Sequence, residues 1–233
     1  MCMQANSNIS VKTFDVGPML NIIYLIWDKL TKEAAIVDPA WDLTDVLKFI
    51  TDNKLTLKKI LLTHSHHDHV NSIDKILNKY DVPIYINKLE ANFWENNYDN
   101  LQMTDSEESI YLGKSKIISI HTPGHTPGSC CYSISNNLIA GDTLFVFGCG
   151  RCDLHGGSPE QMFKSLKSLK KNLNNDTIIM PGHNYSIKRE STLQEEIEGN
   201  PFFSFNNLND FIKYRMHDHD KTRNEPYGPI DLN

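Results

Sequence analysis

The sequence predicts an α/β protein, and three observations carry that expectation. Short apolar, β-branched runs alternate with stretches whose apolar residues recur at helical spacing. The chain opens on a series of strand-like runs joined by turn residues. Its chemically capable side chains stand where later runs end, and in sheets flanked by helices sites gather at the carboxyl ends of strands.

Residues 12–16, 21–27 and 33–37 read as a β-meander, with a turn at 28–31 and an end at Asp38-Pro39. Leu43, Val46, Leu47 and Ile50 then recur at helical spacing. Ile60-Leu61-Leu62-Thr63 reads as a buried strand, and Ile73, Ile76, Leu77 and Tyr80 mark the helix after it. The polar stretch 87–114 holds Phe93, Trp94 and Tyr98, read as packing residues of a short helix. Residues 116–120, 130–134, 138–142 and 177–183 are strand-like. Ser158-Pro159-Glu160-Gln161 signals a helix start, with proline at the first helical position and a capping-box glutamine; Met162, Phe163, Leu166, Leu169 and Leu173 form its stripe. Residues 193–198 and 208–216 read as tail helices separated by Asn200-Pro201. The expected organisation is a main domain over residues 1–187 and a C-terminal helical extension over 188–233.

A chain of 233 residues can bury a sizeable core. With 23 basic against 29 acidic residues the formal charge is -6, and no basic run would track a phosphate backbone, which argues against nucleic acid as a partner. No charged segment followed by an apolar one opens the chain, and the run 22–27 is too short to span a bilayer, so a cytoplasmic protein without membrane contact is expected. Five cysteines fit a reducing compartment better than a disulfide framework. Cys149 and Cys152 have Cys-x-x-Cys spacing but lack a second pair, and read as incidental.

The densest chemistry lies between Thr63 and Val70, where His64, His66, Asp68 and His69 form His-x-His-x-Asp-His on a strand-to-helix turn. Such a cluster is costly to bury without a metal. Imidazole nitrogen and carboxylate oxygen suit zinc, iron or manganese, and a catalytic site typically takes three protein ligands per metal. One motif is too small for two metals. His125, Asp142 and His183 are the further candidates, each at the end of an apolar run and bordered by glycine or proline. A single His or Asp in such a place is ordinarily a turn residue; the case rests on the cluster together with the matching strand ends. His67 is expected to point away, and His121 and His155 read as loop or supporting residues. His217-Asp218-His219-Asp220 reads as a solvated helix end, because residues two apart do not share a helix face.

This ordered set resembles the metallo-β-lactamase superfamily, from about Val11 to His183 and into the tail. The resemblance implies a four-layer αβ/βα sandwich with metals at one edge. It implies two zinc ions per chain, or iron or manganese: one on His64, His66 and His125, the other on Asp68, His69 and His183, with Asp142 bridging and Asp68 and Asp142 as the catalytic carboxylates. Residues 141–151, with Gly182-His183-Asn184-Tyr185, Ser191-Thr192-Leu193 and Asn200-Pro201-Phe202, resemble glyoxalase II, the hydroxyacylglutathione hydrolases. By that likeness Arg151 and Tyr185 contact the glutathionyl part of the substrate. The aromatic residue expected two positions after Arg151 is Asp153 here, and the family's longer C-terminal basic region has no clear counterpart. Lys213, Arg215, Lys221 and Arg223 could substitute for it, but a helix of mixed charge ordinarily reads as a solvated face. Residues 149–162, with Tyr214-Arg215 and Glu225-Pro226-Tyr227-Gly228-Pro229, are most similar to small bacterial glyoxalase II-like hydrolases, which include zinc-dependent hydrolases of polyketide biosynthesis.

Two close cations can lower the pKa of a shared water from near 16 toward ~7, which makes attack by a metal-bridging hydroxide the expected chemistry. A thiolate leaving group with a pKa near ~8.5 needs no proton, so the set suits a thioester of glutathione, coenzyme A or an acyl carrier protein. Two other readings are a mono-iron persulfide dioxygenase of the same fold and an inactive metal-binding or carrier-docking module. A β-lactamase of the commonest class would place Cys where Asp142 stands, and a flavodiiron-type reductase would want a carboxylate at His66.

Overall fold

In the computed structural model, which describes residues 8–96, 98–223 and 226–231, two six-stranded sheets stack face to face with helices on both outer faces. The first sheet runs in chain order: β1 (Ile9–Val16), β2 (Asn21–Asp28), β3 (Glu33–Val37), β4 (Thr56–Leu61), β5 (Ile84–Asn87) and β6 (Leu101–Thr104). The β1-β2-β3 pairs are antiparallel, as the meander reading expects, and β3 to β6 are parallel. The second sheet contains β7 (Glu108–Leu112), β8 (Ser115–His121), β9 (Cys130–Ile134) and β10 (Asn137–Gly141). After a small ribbon of β11 (Leu144–Phe145) and β12 (Gly148–Cys149), β13 (Ile178–Pro181) pairs parallel to β10, and β14 (Ser191–Thr192) closes the edge.

Alternation along β2 explains the layers. Ile22, Tyr24 and Ile26 enter the cluster between the sheets, while Ile23 and Leu25 face the helices of the first sheet. That outer layer is built from α1 (Thr44–Asp52), the single turn α2 (His67–Val70), α3 (Ile73–Leu77) and α4 (Lys88–Phe93). Burying each aliphatic side chain there contributes roughly 1.5–3 kcal/mol. On the far face, α5 (Pro159–Asn172) packs Met162, Leu166 and Leu169 against the second sheet. The tail elements α6 (Leu193–Gly199), the 3-10 turn Pro201–Phe203 and α7 (Leu208–Lys213) add Phe202, Phe203 and Phe211 to the same cluster. No helix is long and apolar enough to cross a membrane among the described residues.

Three local expectations are corrected. Ser158 caps α5 by accepting the Gln161 N–H at 3.2 Å, but its own N–H bonds the Gly124 carbonyl, so the reciprocal capping-box bond does not form there. The box appears instead at Thr192 and Glu195, at the start of α6. The polar stretch 87–114 holds two strands, β6 and β7, besides its short helix; both are sheet edges, which need few apolar residues. Finally, α7 passes into a five-residue π turn, Tyr214–Asp218, before α8 (His219–Thr222), which displaces the faces that a 3.6-residue repeat assigns. Cys2 and Glu225 lie outside the described residues.

Candidate metal centre

The carboxyl edge of the two sheets delivers all the candidate ligands. The chain leaves β4 at Leu61 and turns through His64, Ser65 and His66 into α2, which carries Asp68 and His69. His125 lies between β8 and β9, Asp142 follows β10, and His183 follows β13. Two groups of donor atoms result, each within 4.8 Å: His64 with His66 and His125, and Asp68 with His69 and His183. Asp142 lies between them. Its Oδ2 is 3.4 Å from His125 Nε2 and 3.3 Å from His183 Nε2, and its Oδ1 is 3.4 Å from His69 Nε2.

Protein acceptors hold the outer nitrogens of three rings and so orient the inner ones. His125 Nδ1 donates to the Arg151 carbonyl at 2.7 Å, and His183 Nδ1 to the Met19 carbonyl at 2.7 Å. His69 Nδ1 donates to Asp38 Oδ2 at 3.0 Å. Each Nε2 is thereby turned inward, toward the other donor atoms. Two donors bonded at about 2.0–2.1 Å to one tetrahedral zinc lie roughly 3.3 Å apart. His69 and His183 Nε2 atoms are 3.2 Å apart, and Asp68 Oδ2 is 3.4 Å from each. His66 Nδ1 and His125 Nε2 are closer, at 2.8 Å.

Asp38 also comes within range of His64 and His69, which makes a third grouping possible on distance alone. Its oxygens are already committed: Oδ1 accepts the Thr63 N–H at 2.8 Å, and Oδ2 accepts the Thr63 hydroxyl at 2.6 Å besides His69. Asp38 is therefore a support for His69 and for the loop. It holds this position with φ at 51°, a left-handed backbone uncommon outside glycine. Asn21 supports the other carboxylate, donating to Asp68 Oδ2 at 2.8 Å while its own Oδ1 accepts from Trp41 Nε1 at 2.8 Å.

Charge differs across the edge. Burial, reinforced by the neighbouring imidazoles, pushes His64 well below the ordinary histidine range, and burial takes His125 down to about 4. Burial also opposes charge on His69, but Asp142, Asp38 and Asp68 outweigh it and hold that ring up at about 9. Burial disfavours the Asp142 carboxylate too, yet His183 and His69 keep it well below the usual carboxylate range. His64 Nε2 and Asp142 Oδ1 are buried without a hydrogen-bond partner among the described residues. Orphaned polar atoms of this kind are strongly disfavoured in a dry interior, and a cation beside both satisfies them. The donor set fits divalent metal.

The comparison with protein families decides the lineage: residues 17–183 match the family described as Metallo-beta-lactamase superfamily. The chain belongs to that superfamily. It is 31% identical over 201 residues to the "Probable polyketide biosynthesis zinc-dependent hydrolase PksB" of Bacillus subtilis, covering 86% of this chain and 89% of that one. It is 34% identical over 168 residues to the hydroxyacylglutathione hydrolase of Pectobacterium atrosepticum, covering 72% of this chain and 63% of the relative. Among solved structures, a metallo-beta-lactamase from Staphylococcus aureus superposes with a TM-score of 0.81 at 31% identity, covering 90% of this chain and 68% of that one.

In this metallo-β-lactamase superfamily chain the donor groups border a cavity of about 480 Å³, whose wall includes Phe145, Arg151, Leu154, Tyr185, Arg215 and Tyr227. Tyr185 stacks on His183 with centroids 4.7 Å apart and planes 10° apart. Arg151 makes a two-pronged pair with Asp153, Nε to Oδ1 at 2.8 Å and Nη2 to Oδ2 at 2.6 Å. The tail departs from expectation. Arg215 and His219 are buried, not solvated: Arg215 Nη2 donates to Asp220 at 2.7 Å, its Nη1 lies 3.2 Å from His219 Nδ1, and its Nε has no partner among the described residues. The π turn shifts these side chains inward, and no helical repeat could have located them. His67 reaches the cavity wall but belongs to neither donor group, His121 bonds the Pro127 carbonyl at 2.9 Å, and His155 stacks on Phe93. Cys149 and Cys152 are buried free thiols whose pKa values burial pushes well up, to about 12 for Cys149, which lies on the cavity wall.

Sequence reasoning missed Asp38, Asn21 and Arg215 as parts of the site. Asp38 just before Pro39 carried a faint signal, as an acid closing a buried strand; Arg215 was one of four basic residues that could substitute for the family's basic region but read as solvated, and Asn21 carried none.

Proposed function

We propose that this chain is a metal-dependent hydrolase of thioesters, working with two zinc ions or with iron or manganese in their place. One ion would be held by His64, His66 and His125, the other by Asp68, His69 and His183, with Asp142 shared. The observation that carries the reading is the position of Asp142, within 3.4 Å of ligand atoms from both groups and with one buried oxygen otherwise unpartnered. Bound there, a pair of divalent ions supplies Lewis acidity and a water acidic enough to act as nucleophile near neutral pH.

The chain's own residues supply alignment. Asp38, the Arg151 carbonyl and the Met19 carbonyl fix the imidazoles, and Asn21 fixes Asp68. Among the cavity's carboxylates, Asp68 and Asp142 would be ligands and Asp220 is paired with Arg215, which leaves no unengaged carboxylic acid among the described residues to protonate an amine. A thiolate, with a pKa near ~8.5, departs without one. Relatives named as zinc-dependent hydrolase and hydroxyacylglutathione hydrolase support the same class.

Arg151, Tyr185 and Arg215 would grip the arm carrying the thiol, in a cytoplasmic protein whose partner is a free thioester or an acyl carrier protein. The arm belongs to glutathione, coenzyme A or a carrier protein, and a thiol-release assay with S-lactoylglutathione, acyl-coenzyme A and acyl-carrier thioesters distinguishes them. Zinc-loaded protein should release thiol from at least one. No release from any defeats the reading, and oxygen uptake on glutathione persulfide with one bound iron replaces it by a dioxygenase.

A further inference from the structure

We infer that Glu90 is a positioning residue that sets the spacing of the first donor group, a role that rests on His64, His66 and His125 being metal ligands. Glu90 lies in the first turn of α4, is 0% exposed, and makes no ion pair with lysine or arginine among the described residues. A carboxylate so buried is strongly disfavoured unless its lone pairs are met by good donors. Here they are met from two separate loops. Oε1 accepts the Ser65 N–H at 2.8 Å and the Ser65 hydroxyl at 2.6 Å. Oε2 accepts the Thr126 hydroxyl at 2.7 Å and the Gly128 N–H at 2.9 Å.

Ser65 stands between His64 and His66, and Thr126 follows His125 directly. One oxygen therefore serves each ligand loop, and the fixed width of a single carboxylate sets the gap between them. The contact is close on the backbone as well, since a Cβ at Gly128 would meet the Glu90 nitrogen at 2.0 Å. On the other side of the same two loops, His66 Nδ1 and His125 Nε2 face each other at 2.8 Å. The second donor group leans on Asn21 and on Asp38, which also holds Thr63 beside His64, whereas the Glu90 carboxylate bonds only the loops of the first group among the described residues.

Glutamine has the right shape and the wrong chemistry. Its oxygen can accept from one loop, but its NH2 would then confront the backbone N–H of the other, which cannot accept. Either orientation pushes the loops apart.

The test uses the intact purified protein, stripped of metal and titrated with Zn²⁺ against a competing chromophoric chelator. His66→Ala and His183→Ala first identify which step of the wild-type titration belongs to each group. Glu90→Gln should then weaken the step lost in His66→Ala by about 10- to 100-fold and leave the other step within about twofold. The visible spectrum of cobalt bound in the first step should shift with it, a change that general loss of stability does not produce. Ser65→Ala and Thr126→Val each remove one hydroxyl donor and keep the backbone one, so they should weaken the same step by less; they carry the test if Glu90→Gln does not fold. Unchanged titrations, or equal weakening of both steps, overturn the role of Glu90. A wild type that binds no zinc overturns the metal reading itself, which is a different failure.

Discussion

The two donor groups at the sheet edge are built on opposite electrostatic plans. The first is made of imidazoles, of which His64 and His125 are driven toward neutrality by burial; the second sets Asp68 beside His69, whose charge is favoured by Asp142, Asp38 and Asp68. Behind the first stands a buried carboxylate that touches only loop donors, Glu90; behind the second stands one that grips a ligand ring, Asp38. The difference teaches that one edge can carry two donor groups with largely different supports, so damage to Glu90 or Asn21 should be readable at one group. Asp142 is where the two plans meet.

Breaking that meeting point should have the largest effect. Asp142→Ala should abolish thiol release and drop the metal content below two ions per chain, measured by elemental analysis; full metal content would contradict a shared ligand. Next in size, Asp38→Asn should weaken zinc at the second group by about 10- to 100-fold in a chelator competition, with the first group little changed. Equal loss at both groups would mean that Asp38 acts through the Thr63 loop and not through His69.

The contrast between groups also marks what was legible in the sequence. His64, His66, Asp68 and His69 could be found because they form one compact motif after β4, and His125, Asp142 and His183 because they follow β8, β10 and β13, whose apolar patterns are local. Asp38 and Glu90 act across 25 to 38 positions in the chain, through hydrogen bonds to backbone and hydroxyl groups that leave no periodic trace. Glu90 sits in a polar stretch where an acid ordinarily means solvent. The meander, the strands that lead to the ligands and the long helix α5 followed from pattern, though not the parallel pairing of those strands; the edge strands β6 and β7 did not, because an edge needs only intermittent apolar residues. The tail misled for a geometric reason, the π turn that buries Arg215.

Arg215 gives the next prediction. A guanidinium hydrogen bond to substrate contributes about 1.5–3 kcal/mol, so Arg215→Met should raise KM roughly tenfold or more while kcat changes little. A fall in kcat alone would place Arg215 outside the substrate's grip and make it a prop for the tail.

The smallest effect tests a region remote from the site. Asp28, buried at the end of β2, is disfavoured as a charge by burial, yet it accepts from Leu30, Thr31, Lys114 and Ser115, which hold it down at about 2 against an ordinary 3.8. Because its folded-state pKa is lowered, the stability it contributes is present above pH 4 and is lost as pH falls toward 2. Asp28→Asn should cost on the order of 1–2 kcal/mol at neutral pH and flatten the acid limb of the unfolding curve, with zinc binding unaltered. A wild-type acid limb that survives the substitution would contradict the assignment.

The central claim, a pair of ions sharing Asp142 in a thioester hydrolase, is tested most directly by following thiol release while stripped protein receives measured equivalents of Zn²⁺. Release should rise with zinc and level off at two equivalents per chain. Full activity at one equivalent, or release that does not respond to zinc, would contradict it.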